Sequence, residues 1–145
     1  MDGTSRGASP TKQENDYPLY AGRAGRVPYK EISMTTNDFC EKLGLTKLSE
    51  GSDREIVSCY ISDLLSRVLG GCSSGDIWIT VQASVNMVAV ATMADASCVI
   101  LPESLTAPDN VVGKATEEGL TVFSSNDDAF MLALKIASLL ELQPE

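Results

Sequence analysis

The feature that most constrains the fold of this chain is a β–α step that recurs along it. β-prone stretches at Glu55 to Tyr60, Asp76 to Val81, Cys98 to Leu101 and Leu120 to Phe123 alternate with helical ones. The first helix runs from Asp63 to Leu69, with Ser62 placed to cap it and Gly70-Gly71 to halt it. The others span Ser84 to Ala94, Pro108 to Glu118 with Gly119 as its stop, and Asp127 to Leu142 with Ser125 placed as in a weak capping box. A short helix over Thr36 to Leu43, ended by Gly44, and a β-prone run from Thr46 to Ser49 precede them. Parallel strands need crossover connections, and strands that alternate with helices supply them. The pattern predicts an α/β fold: a three-layer α/β/α arrangement around a mostly parallel sheet of about five strands.

Two helices differ in pattern. The last carries Phe130, Leu134, Ala137 and Leu140 on one face and reads as amphipathic, whereas Ser84 to Ala94 is apolar nearly all round. Such a helix has to be covered on more than one side. In a domain this small a second copy of the chain is the expected cover, which predicts a homodimer with this helix in or near the interface; the competing explanation is a central core helix within one protomer.

Composition bounds the rest. With 145 residues, 43% of them apolar, the chain has material for one core. Residues 1–33 show no hydrophobic period and read as a disordered leader or added tail, leaving 34–145 as the domain. Charge divides at the same place: five Lys/Arg against four Asp/Glu in 1–33 leave six against sixteen in 34–145, a net of −10. So acidic a domain repels a phosphate backbone, and nucleic acid is not an expected partner. No apolar run approaches the roughly 18 residues that cross a bilayer, so a soluble, cytoplasmic protein without a membrane partner is expected.

The chain has no histidine, which removes the commonest general base and the commonest zinc ligand together. Cys40, Cys59, Cys72 and Cys98 include no C-x-x-C pair, and small buried thiols in a reducing compartment are expected rather than metal or redox chemistry. The segment Gly70 to Ile77 has two glycines at phosphate-loop spacing, but Asp76 and Ile77 stand where Lys and Ser or Thr are needed. It also follows a helix and precedes a strand, the reverse of the required order. No triad can be built, since Ser62, Ser84 and Ser125 all sit at helix starts; Asp63 reads as a charge on a helix N-terminus and Asp95 as part of a helix end. Catalysis, a cofactor and a metal are therefore not expected.

A binding site is easier to place. Open α/β sheets take ligands beyond the carboxyl ends of their parallel strands, where helix N-termini present N–H groups. There the chain carries Ser62 and Asp63, then Thr80, Gln82, Ser84 and Asn86, then Glu103 and Ser104, then Ser124, Ser125 and Asn126. Ser62, Asp63, Thr80, Gln82, Ser84, Asn86, Ser124 and Ser125 form the candidate ligand-binding set, with a nucleotide or small anionic metabolite as the ligand. The competing explanation is that these residues do no more than cap helices.

Three blocks, Cys59 to Leu69, Asp76 to Gln82 and Asn86 to Ala91, together resemble the small stand-alone DRTGG-domain proteins of anaerobic bacteria, over most of residues 35–142. The resemblance implies a regulatory and dimerising domain of the kind that accompanies CBS domains in pyrophosphatases and precedes phosphotransacetylase catalytic domains. Because stand-alone members are often encoded near iron-only hydrogenase subunits, it also implies an alternative, an assembly or interaction protein docking on a redox complex. Relatives labelled serine kinase or transcriptional regulator do not fit, because the phosphate loop and a basic recognition helix are both missing. One departure stands out: Leu101-Pro102-Glu103-Ser104 follows the strand where a Thr-Gly-Gly turn is expected. The expected function is a non-catalytic ligand-sensing module.

Overall fold

The computed structural model describes residues 33–144. Of these, residues 33–140 belong to one compact unit and residues 141–144 to a second. In the second, Glu141 is left-handed at φ 57°. The leader expected over 1–33 lies, except for Ser33, outside the described residues.

Within the first unit the elements are α1 (Thr36–Leu43), β1 (Thr46–Lys47), β2 (Cys59–Ile61), α2 (Leu65–Gly71), β3 (Ile77–Ile79), α3 (Val85–Ala94), β4 (Cys98–Leu101), α4 (Asp109–Glu117), β5 (Val122–Ser124) and α5 (Ala129–Leu139). The sheet order is β1-β5-β4-β3-β2. β2 to β5 are parallel in sequence order and β1 closes the edge antiparallel to β5, so the α/β expectation of a mostly parallel, five-stranded sheet is met.

Because the strands advance in one direction, right-handed crossovers put α2, α3 and α4 on the same face. Trp78, Val99, Leu101 and Val122 point there and pack with Val68 of α2, Met87, Val88 and Ala91 of α3, and Val111 and Ala115 of α4. Strand alternation sends Ile77, Ile79, Ile100 and Phe123, all buried, to the other face. There α5 reaches β2. An 11-residue helix is about 16 Å long, enough to cross the roughly 14 Å between β5 and β2.

Helix ends follow local chemistry. Thr35 and Asp38 make a reciprocal capping box on α1, and Gly44 ends it left-handed at φ 62°. Ser84 caps α3 by accepting the Met87 N–H. α3 lies between α2 and α4 as the central helix of its layer, burying Met87, Val88, Val90 and Ala91 and leaving Val85 and Met93 of its apolar surface exposed.

Four expectations need correction. The strand expected over Glu55 to Tyr60 starts at Cys59, because Arg54 and Ile56 bond to Thr36 and Met34 while Val57 N–H goes to Gly75 O. Gly70-Gly71 does not halt α2 but forms its last turn; the Tyr60 ring lies where a Gly71 Cβ would stand, so the glycine is there for packing. Ser62 does not cap α2, whose N-cap is Leu64; nor does Ser125 start α5, whose cap is Asp128, accepting the Met131 N–H. Finally, α5 buries Leu132 and Ile136 and leaves Phe130 and Leu134 75% and 55% exposed; of the expected face only Leu140, the C-cap residue, is fully buried. The helix has two apolar stripes, and the sheet takes the other one.

Candidate functional site

The carboxyl ends of β2 and β3 bring four of the eight candidate residues together. Asp63 does not serve the N-terminus of α2. Its Oδ1 accepts from Thr80 Oγ1 at 2.8 Å and from the Val81 N–H at 2.9 Å, tying the end of one strand to the end of the next. Gln82 Nε2 donates to the Asp63 carbonyl at 3.0 Å, and the Gln82 N–H donates to Thr80 Oγ1 at 3.1 Å. The Ser62 carbonyl accepts from the buried Trp78 indole N–H at 2.8 Å, and its hydroxyl oxygen accepts the Leu64 N–H at 3.3 Å. Ser84 and Asn86 follow at the start of α3, Ser84 as its cap and Asn86 exposed on its first turn. Among the described residues no donor reaches Asp63 Oδ2. The knot is thus built by its own members, with one carboxylate oxygen left facing outward.

Ser124 and Ser125 lie apart from this group, at the end of β5. Ser124 Oγ donates to Leu105 O at 2.6 Å, and Ser125 Oγ accepts the Asp127 N–H at 3.1 Å. The β4–α4 and β5–α5 connections leave the sheet toward opposite faces, the topological switch at which such sheets open a crevice. Here the two connections are laced together: the Glu103 N–H donates to Asp127 O, the Ser104 N–H to Ser125 O, and Ser104 Oγ to Asn126 Oδ1 at 2.8 Å.

The residues standing where Thr-Gly-Gly was expected have glycine-like backbones. Glu103 and Ser104 are left-handed at φ 59° and 60°, closed by the Leu105 N–H on Pro102 O at 3.1 Å. A turn with both central residues left-handed favours glycine at both places. The turn adopts a glycine-favouring geometry with no glycine in it. Sequence reasoning missed this bond lattice, and the Glu103-Ser104 departure was the signal that could have found it.

Titration marks other places. Asp95 caps α3 and lies below the ordinary carboxylate range, held by the Ser74 hydroxyl and by Arg54, whose guanidinium is 3.0 Å away. Asp53 is lowered by the Asn37 N–H at the start of α1. Burial pushes the Cys98 thiol up to about 12, so it is inert at neutral pH. These groups brace the fold away from the strand-end knot. No helix among the described residues is long and apolar enough to cross a membrane.

No family model matches the chain, and no curated protein matches it in sequence. Among solved structures, it is similar to the CBS and DRTGG domains of the regulatory region of Clostridium perfringens pyrophosphatase, complexed with the activator diadenosine tetraphosphate. The identity is 16%, the TM-score 0.59, and the match covers 76% of this chain and 47% of that one. The chain thus spans about half the length of that structure, and the DRTGG resemblance read from three sequence blocks is met by a likeness of fold.

Proposed function

We propose that the domain is a cytoplasmic, non-catalytic regulatory module that senses a nucleotide or small anionic metabolite at the carboxyl ends of its strands and works as a homodimer. The observation that carries this reading is the convergence of Ser62, Asp63, Thr80 and Gln82 at the ends of two adjacent parallel strands. Ser84 and Asn86 extend the site along the first turn of α3, and Ser124 and Ser125 give it a second pole. The fold likeness to a regulatory region bound to a dinucleoside activator supports the ligand class. The missing histidine and the absent phosphate loop support a role without catalysis. Thermal shift of the full chain against nucleotides and phosphometabolites tests it: at about 100 times its Kd a true ligand raises Tm by roughly 5 °C or more. A flat panel overturns it.

A second reading, an interaction protein docking on a redox complex, is favoured by the apolar stripe that α5 leaves open at Phe130 and Leu134. Co-purification from the native host, lost in Phe130→Ser/Leu134→Ser, is its expected result.

A further inference from the structure

Charge around the strand ends separates the possible ligands. No Lys or Arg occurs between positions 68 and 113 or between 115 and 134, a span that holds β3, α3, β4, β5 and the connections beyond them. The carboxyl-end connections do hold Asp63, Glu103, Asp127 and Asp128. Lys135 is 2.7 Å from Asp127, and Arg67 sits one turn along α2 from Leu64. A bare phosphate needs cations or several convergent N–H groups, and one helix terminus supplies only a partial charge. Beside the Asp63 knot, along with Ser84 and Asn86, the chain places exposed apolar side chains. Ile61, Leu64, Val81 and Val85 flank Asp63 and Gln82 in the chain or through the Val81–Asp63 bond, and are between 44% and 61% exposed. Apolar surface beside an outward carboxylate oxygen and a side-chain amide suits a planar heterocycle bearing hydroxyl or amino donors.

Resting on the ligand-sensing reading above, we propose that this site grips its ligand by the nucleoside end, with the base on the apolar rim and a hydroxyl or amino group donating to Asp63 Oδ2, and that the phosphates stay outside. The ligand is recognised as a nucleoside. A free anionic metabolite lacks the part that binds.

Trp78 is the only tryptophan, and its indole bonds to Ser62, so its fluorescence reports on the knot. The full chain is titrated with adenosine, guanosine, cytidine and uridine, with the corresponding triphosphates with and without magnesium, and with inorganic pyrophosphate. The expected result is that at least one nucleoside binds within about threefold of its triphosphate, that pyrophosphate does not compete, and that Arg67→Ala leaves the affinity unchanged. Asp63→Asn keeps an acceptor for Thr80 and Val81 but turns the outward oxygen into a donor. It is expected to weaken nucleoside binding by about tenfold or more with Tm nearly unchanged. Triphosphate binding about tenfold or more tighter than nucleoside binding, or competition by pyrophosphate, overturns the nucleoside grip and leaves the sensing reading standing. An Asp63→Asn protein that is folded and binds normally also overturns the grip. No binding by any compound overturns both.

Discussion

At the scale of single residues, strain and charge sit where backbone elements meet. Left-handed φ values at Glu103 and Ser104 cost about 1 kcal/mol each relative to glycine, and the hydrogen bonds from the β5–α5 connection hold them there. Glu103 is exposed, so Glu103→Gly relieves strain without removing a buried contact. It is expected to stabilise the domain by about 0.5–1 kcal/mol, read as a higher urea midpoint. Gly51 behaves oppositely, since a Cβ there would overlap the Thr121 backbone nitrogen and hydroxyl; Gly51→Ala is expected to destabilise by about 2 kcal/mol. Asp53 and Asp95 contribute to the pH dependence on the acid side. A carboxyl depressed in the folded state adds stability that is fully present above the unfolded pKa of about 4 and is lost as pH falls through the folded value. The urea midpoint is therefore expected to fall below about pH 4, and Asp53→Asn with Asp95→Asn to flatten part of that fall.

At the scale of elements, α3 and α5 each bury one face and leave apolar side chains outside. α3, apolar nearly all round, packs between α2 and α4 over the sheet and still leaves Val85 44% and Met93 71% exposed. α5, which reads as amphipathic, turns Leu132 and Ile136 inward and Phe130 and Leu134 outward. Leu132→Ala is thus expected to cost about 2–5 kcal/mol in urea denaturation, and Phe130→Ser/Leu134→Ser less than about 1 kcal/mol. If the proposed homodimer uses the open stripe, the double variant sediments as a monomer at a concentration where the parent chain is dimeric. The helices that sequence placed to within a residue or two are those with an unambiguous terminus, such as Thr35 and Gly44 around α1 and Ser84 before α3. α2 was placed two residues early, because Asp63 spends its carboxylate on the neighbouring strand end instead of the helix start. A local rule could not see that partner, 17 residues away.

At the scale of the whole molecule, the candidate site was legible in outline. Polar residues at strand ends were expected to converge, and Ser62, Asp63, Thr80 and Gln82 do, while Ser124 and Ser125 belong to a second lattice at the β4–β5 switch. The sequence by itself determined the alternation of strands and helices, the acidity of the domain and the lack of histidine chemistry. Periodicity, net charge and residue type are properties of the chain before it folds. Only the tertiary structure decided which stripe of α5 is buried, that Gly71 makes room for Tyr60, and that Asp63 turns one carboxylate oxygen inward and one outward. Each of those depends on a partner distant in sequence or on a choice between two equally apolar faces, and packing against the sheet makes the choice.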